Sequence, residues 1–147
     1  MAENKDRIIQ DLKLYKRIPV IIKNLQETKK LKEFDLSNLF CSSSTLEEHR
    51  SSNYQEYSTT ERQAERQEQL KTEIQGIDFK IMQYETLLLN IQRSVDSLDD
   101  KERRIIELRY LKGFTWVRIA MELHYSEKWC RGICTAALKT LNVIMYG

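Results

Sequence analysis

The sequence has one proline and four glycines in 147 residues, too few to supply the turns that a strand-rich fold requires. We therefore predict an all-α protein. No run of apolar residues approaches the roughly 20 that a membrane span needs, and residues 1–6 lack the apolar core of a signal peptide. These absences predict a cytoplasmic protein, in a bacterial host cell by the resemblance given below, with no membrane partner.

Cysteine and histidine are also scarce, with three and two copies. An odd number of cysteines without framework spacing fits a reducing compartment. Cys130 and Cys134 are one helical turn apart, but no second pair completes a set of metal ligands, so we interpret them as small core residues. His49 beside Glu47 and Glu48 is interpreted as part of a polar loop.

The motifs of enzyme active sites are missing as well. The sequence has no glycine-rich phosphate loop, no nucleophile elbow and no pair of histidines with metal-ligand spacing. Asp99 and Asp100 are adjacent carboxylates, but at the start of a predicted helix they suit a cap and a partner for the helix dipole. We predict no catalysis, no cofactor and no metal.

The middle of the chain is dominated by apolar residues in steps of three and four, a pattern typical of a helix that packs against a partner helix. Gly76 weakens this helix without ending it. The partner is either the N-terminal segment, in an antiparallel hairpin of residues 5–33 with the long helix, or a second copy through residues 70–98. We favour the hairpin because its joining interval closes cheaply. The apolar seam consists of Leu70, Ile74, Ile77, Ile81, Tyr84, Leu88, Ile91, Val95 and Leu98.

These patterns divide the chain into four parts. An N-terminal helical segment, 1–36, carries an apolar stripe that Pro19 should break or kink. A serine-rich interval, 37–60, is predicted as a flexible linker. The long coiled-coil-like helix follows at 61–97, and 98–147 forms the last domain. The predicted fold is thus a long helical hairpin or coiled-coil arm joined to a C-terminal domain.

Residues 113–141 have the spacing of a helix-turn-helix. Gly113 can end one helix in a left-handed conformation, and Thr115 can cap the helix that starts at Trp116. His124 and Tyr125 form the turn, at a position where glycine is frequent, so His124 must accept a positive φ. Ser126 then caps a second helix. Its predicted buried face consists of Cys130, Ile133, Cys134, Ala137, Leu138 and Leu141.

The opposite face of the second helix is polar and points outward, and a helix of this size fits the DNA major groove. Arg118, Arg131 and Lys139 are our candidates for phosphate contact. The net charge of +2 is small, so one copy should make few such contacts. The simpler alternative is a three-helix domain whose charges are only solvated. The predicted DNA-binding residues are Thr115, Trp116, Arg118, Ser126, Glu127, Lys128, Trp129, Arg131, Thr135 and Lys139.

Residues 98–110 (LDDKERRIIELRY), GFTW at 113–116 and ALKTL at 137–141 resemble the fourth conserved region of bacterial sigma factors. The whole chain resembles the small phage and prophage late-gene transcription regulators of the ArpU/RinA type. That resemblance implies binding to double-stranded promoter DNA through the second helix, and contact with host RNA polymerase. Gly132 departs from the pattern, because it offers no side chain where a base-reading group is expected.

The expected function is therefore a sequence-specific transcription regulator, an activator of phage late genes. Two alternatives stay open at this point. A small terminase subunit would also join a helix-turn-helix to a coiled coil, and would bind DNA packaging sites. An interaction protein would use the sigma-like module to bind polymerase without reading DNA.

Overall fold

The computed structural model describes residues 2–45 and 55–147, with side chains for 3–40 and 59–147. All secondary structure in these ranges is helical, which confirms the predicted all-α class. The α-helices are α1 (Ala2–Leu14), α2 (Ile18–Thr45), α3 (Gln55–Asp96), α4 (Asp100–Ile106), α5 (Trp116–Leu123) and α6 (Glu127–Tyr146), and a π-helical turn, Glu107–Leu111, follows α4. Each described helix falls short of the combined length and apolarity that a membrane span requires.

The contacts divide the chain into two compact units, whose boundaries differ from the four predicted parts. The first, here called the helix-turn-helix unit, comprises the chain up to Val20 together with Tyr84–Gly147. The second, called the hairpin unit, comprises Ile21–Gln83. One boundary falls within the residue range of α2 and the other within that of α3.

In the hairpin unit α2 and α3 run antiparallel. Lys29 Nζ lies 2.7 Å from Asp78 Oδ1, and Lys32 Nζ donates to Glu73 Oε2 at 2.7 Å, so later residues of α2 meet earlier residues of α3. The face of α2 turned toward α3 steps by three or four residues, as in a heptad repeat. Its half-buried members are Ile22, Leu25, Lys29, Lys32, Leu36 and Leu39.

The predicted hairpin exists, but its N-terminal arm is different from the predicted 5–33. The N-terminal helix is interrupted near Pro19 as expected, since α1 ends at Leu14 and α2 begins at Ile18. Pro19 is the second residue of α2, in the first turn, where its missing N–H removes no helical hydrogen bond. The first helix, α1, belongs to the helix-turn-helix unit instead.

The predicted linker, 37–60, is also too long. The structure continues α2 through Thr45 and starts α3 at Gln55, so 37–45 and 55–60 are helical. The apolar stripe of α2 reaches this interval at Leu39, which is half-buried. Packing of this kind overrides the weak helix propensity of serine. The predicted loop residues Glu47, Glu48 and His49 lie outside the described residues.

The seam of α3 is where the sequence placed it. None of its nine residues is exposed, and Leu70, Ile77, Ile91, Val95 and Leu98 are buried. The helix runs through Gly76 without interruption, as predicted. Each unit covers its part of this seam within one chain. A homodimer through residues 70–98 stays a prediction.

The core of the helix-turn-helix unit forms where α6 packs against α1, α4 and α5, and where the π-helical turn packs against α1 and α5. Ile8 and Leu12 bring α1 into this core with no exposed surface. The phenol of Tyr146 at the end of α6 donates to Asp11 Oδ2, and the Arg7 guanidinium lies 4.5 Å from the centre of the Tyr146 ring. The N-terminal helix is thus a structural part of the unit that carries the predicted site.

Candidate nucleic-acid interface

The start of α5 is fixed by Gly113 and Thr115, as the sequence predicted. Gly113 has a φ of 74°, in the left-handed region that favours glycine, and nothing within 4 Å would meet a Cβ there. Thr115 is the N-cap, and its hydroxyl accepts from the backbone N–H of Arg118 at 3.3 Å. These two residues set the position and the direction of α5.

The turn between α5 and α6 also follows the prediction. His124 ends α5 with a φ of 57°, and the backbone N–H of Tyr125 donates to Ala120 O at 3.2 Å. Ser126 is the N-cap of α6, and its hydroxyl accepts from the backbone N–H of Trp129 at 3.1 Å. Hydrogen bonds thus satisfy both ends of this short connection.

The buried face of α6 agrees with the prediction in five of its six residues. Cys130, Cys134, Ala137, Leu138 and Leu141 are buried, whereas Ile133 is half-buried at the edge of that face. This packing leaves the opposite side of α6 exposed to solvent.

That opposite side is the polar face predicted from the sequence. It carries three cations, on Lys128, Arg131 and Lys139, against one carboxylate, on Glu127. Gly132 lies between Arg131 and Lys139 in the chain, and nothing lies within 4 Å of the position that a Cβ would take there. The helix backbone is therefore accessible from outside at this residue. Five predicted site residues are exposed together on α6, namely Glu127, Lys128, Arg131, Thr135 and Lys139.

The cations of this face differ in their partners. Arg131 lies 3.8 Å from Glu127, one turn earlier on the same helix. In the described part of the chain no ion pair involves Lys128 or Lys139. An ion pair as exposed as that of Arg131 and Glu127 is weak, so all three cations are available to an anion.

Arg131 of this face and two arginines next to it lie over two aromatic rings. The guanidinium of Arg118 is 3.7 Å from the centre of the Phe114 ring. Trp116 has two such neighbours, Arg109 at 4.6 Å and Arg131 at 5.6 Å. Arg109 also donates to the carbonyl of Phe114 at 3.0 Å. Stacking of this kind restrains the long arginine side chains.

Arg109 was not among the predicted site residues. The π-helical turn places it, and nothing in the spacing of apolar residues predicts that turn, in which the N–H of Lys112 donates to Glu107 O at 2.8 Å. The only signal in the sequence is compositional, since 109–118 contains two arginines and several aromatic residues.

The other predicted tryptophan, Trp129, occupies a different surface. Its side chain is 51% exposed, and its ring centre lies 6.0 Å from that of Tyr125. With Ile133 and Ala136 it lines a shallow apolar groove on α6, bordered by Asp99 and Asp100 at the start of α4. Trp129 therefore adjoins the polar face and an apolar one at the same time.

The two cysteines of α6 are part of the core, as predicted. Burial raises the pKa of both thiols, and Cys134 Sγ lies 3.9 Å from the Tyr110 hydroxyl. Burial likewise raises the pKa of Tyr110. Near neutral pH these groups keep their protons, whereas a nucleophile or a metal ligand requires the thiolate. Within the described residues no group of three or more His, Cys, Asp or Glu side chains is arranged to hold a metal ion.

The fold and this surface define an all-α protein in which a helix-turn-helix unit presents a basic, solvent-exposed helix face. A family model described as "Protein of unknown function (DUF722)" matches residues 1–143. The chain therefore belongs to that family. No curated protein and no solved structure matches it.

Proposed function

We propose that the protein is a sequence-specific regulator of transcription that binds double-stranded DNA through α6. The observation that carries the proposal is the exposed polar face of α6, with Lys128, Arg131, Thr135 and Lys139. The resemblance of 98–141 to the fourth region of sigma factors supports the same role. Activation of phage late genes, together with host RNA polymerase, rests on that resemblance.

In this proposal α6 lies in the major groove with its N-terminal half against the bases. Arginine can donate two hydrogen bonds to guanine or to a phosphate, and lysine supplies a point charge to phosphates. Gly132 allows the helix backbone to approach the duplex closely, because no side chain separates them. Arg118, held over Phe114, would reach the phosphate backbone from α5.

The small charge excess limits the strength of binding. The three cations of α6 and Arg118 of α5 correspond to about four neutralised phosphates. The logarithm of affinity should therefore fall with the logarithm of salt concentration with a slope of about −3.6 per copy. So few phosphate contacts predict weak binding by a single copy. A second contact with polymerase would then help to hold the regulator at a promoter.

The groove of Trp129, Ile133 and Ala136 offers an exposed apolar surface to a protein partner. Exposed tryptophan is frequent in protein interfaces, where it contributes much of the binding energy. Three carboxylates against one lysine border the groove, which favours a partner segment with lysine or arginine next to its apolar residues. They are Asp99, Asp100 and Glu102, with Lys101.

The test is selection of bound duplexes from a random library, followed by footprinting of the selected site with and without RNA polymerase. A regulator protects one motif, and polymerase extends the protection. A packaging protein selects a motif but ignores polymerase. A pure interaction protein selects no motif and still binds polymerase.

Arg131→Ala should weaken protection of the selected motif while the protein stays folded. Arg93→Ala is the matched control, because Arg93 is an exposed arginine of α3 within the same unit. Unchanged protection by Arg131→Ala would remove this residue from the interface.

A further inference from the structure

The ring of Trp116 contacts two arginine side chains beside the polar face of α6. Trp116 is the first residue of α5, half-buried, and its ring meets the guanidinium groups of Arg109 and Arg131 at 4.6 and 5.6 Å. Thr115 fixes its position through the helix cap. The ring therefore links the start of α5 to the polar face of α6.

The ion pair with Glu127 restrains the Arg131 side chain only weakly, so the contact with Trp116 matters for its position. Its guanidinium lies 3.8 Å from Glu127, and both side chains are about half exposed, at 60% and 45%. A free arginine loses much side-chain entropy when it binds a ligand. An aromatic ring can restrain the guanidinium in advance without occupying its N–H donors, which point outward in the guanidinium plane.

We propose that Trp116 is a positioning residue that holds Arg131 ready to donate to a DNA phosphate. The inference rests on the proposed function, because it assigns Arg131 a phosphate contact. When DNA binds, the phosphate replaces Glu127 as the anionic partner, whereas the ring stays in place. Arg109, the other arginine on the ring, is also held by its hydrogen bond to the Phe114 carbonyl. Trp116 therefore contributes to affinity through Arg131.

The test is a double-mutant cycle on a fluorescently labelled duplex of mixed sequence at low salt. Trp116→Leu should weaken binding roughly two- to fivefold, the range of a cation–π contact at an exposed site. The same substitution should have no effect when Arg131→Gln is already present. Trp116→Phe, which keeps an aromatic face, should lose less than Trp116→Leu.

Trp129→Leu is the matched control, since it removes the other tryptophan of the unit and its ring meets Tyr125 rather than an arginine. Any loss it causes should be the same with and without Arg131→Gln. A second readout is the mobility of the Arg131 side chain in the free protein, measured by ¹⁵N relaxation of its Nε–H group. Mobility should rise in Trp116→Leu and stay unchanged in Trp129→Leu.

The outcomes separate the two proposals. If the wild type binds the duplex and Trp116→Leu weakens binding equally with and without Arg131, the positioning role is wrong and the DNA-binding proposal stands. Unchanged mobility of Arg131 in a folded Trp116→Leu protein also overturns the positioning role. If the wild type binds no duplex, the proposed function fails and this inference fails with it.

Discussion

Two residues of the described chain have a left-handed backbone conformation, Gly113 and His124, with φ values of 74° and 57°. Glycine adopts this conformation without strain, whereas a residue with a Cβ is destabilised by roughly 1 kcal/mol. The helix-turn-helix unit therefore has one relaxed and one strained turn.

Substitutions at these positions should have opposite effects. His124→Gly relieves the strain and should raise the free energy of unfolding by up to about 1 kcal/mol, less the added entropy of the unfolded chain. Gly113→Ala should lower it by about 1 kcal/mol, from backbone strain alone, since nothing within 4 Å would meet the new Cβ. Urea unfolding followed by tryptophan fluorescence measures both. A loss of stability in His124→Gly would contradict this account.

The role of a single residue could be predicted from the sequence where it depends only on residues close by in the chain. Thr115 and Ser126 are caps because serine and threonine before a helix satisfy its first N–H groups. The stacking of Arg109 and Arg131 on Trp116 was not predictable, since it requires α6 and the π-helical turn to meet the start of α5.

At the scale of elements, the hairpin of α2 and α3 contains charged residues in an otherwise apolar seam. Lys29 and Lys32 occupy seam positions of α2 and pair with Asp78 and Glu73 of α3. A hydrogen bond from Lys32 holds the pKa of Glu73 below its usual 4.5, and one to Asp78 raises the pKa of Lys29 above 10.5. Charged pairs at such positions favour one register, because a shifted pairing would leave both lysines without their carboxylates.

The lowered pKa of Glu73 predicts how stability depends on pH. The pKa of Glu73 is lower in the folded state than in the unfolded state. The ionised carboxylate therefore stabilises the folded state at pH values above its pKa in the unfolded state. This stabilisation disappears as the pH falls through its pKa in the folded state. Glu73→Gln should therefore be less stable than the wild type at pH 7, and the difference should shrink below about pH 5. Unfolding in urea across this range, followed by circular dichroism, measures it.

The control for this experiment is Glu65→Gln, which removes an exposed carboxylate from the same helix. Its unfolding free energy should follow that of the wild type over the whole range. A difference between Glu73→Gln and the wild type that is independent of pH would show that the carboxylate is not the source of the effect.

The seam of α3 was predictable because its apolar period is unbroken, but its partners were not. Periodicity reports that one face of a helix is covered, not which helix covers it. The α2 face has lysines in the middle of its stripe, so its apolar pattern is interrupted where the two ion pairs form. The serine-rich composition of 37–45 predicted a linker, but these residues continue α2.

At the scale of the whole molecule, the N-terminal helix belongs to the unit that carries the candidate interface. The contacts of α1 with α6 and the π-helical turn are distant in sequence, and no local pattern predicts them. The sequence assigned residues 98–147 alone to the DNA-binding domain. The structure adds 1–20 and 84–97 to that unit.

This arrangement predicts that a change in α1 weakens the interface unit. Ile8→Ala removes a side chain with no exposed surface and should lower the free energy of unfolding by about 2–5 kcal/mol. Both tryptophans, Trp116 and Trp129, belong to this unit, so tryptophan fluorescence during unfolding reports on it directly.

Val143→Ala is the control, because Val143 lies on α6 and is 70% exposed. Its stability should stay within about 0.5 kcal/mol of the wild type. If Ile8→Ala were equally harmless, α1 would not be part of the core of this unit.

The measurement that tests the central claim most directly is a titration of the selected duplex at several salt concentrations, with the wild type and with Lys128→Gln, Arg131→Gln and Lys139→Gln. We expect wild-type affinity to fall with salt, and each substitution to reduce the slope by about 1. Duplex binding that none of the three substitutions changes, or no binding of any duplex, would contradict the assignment of α6 as the DNA-binding helix.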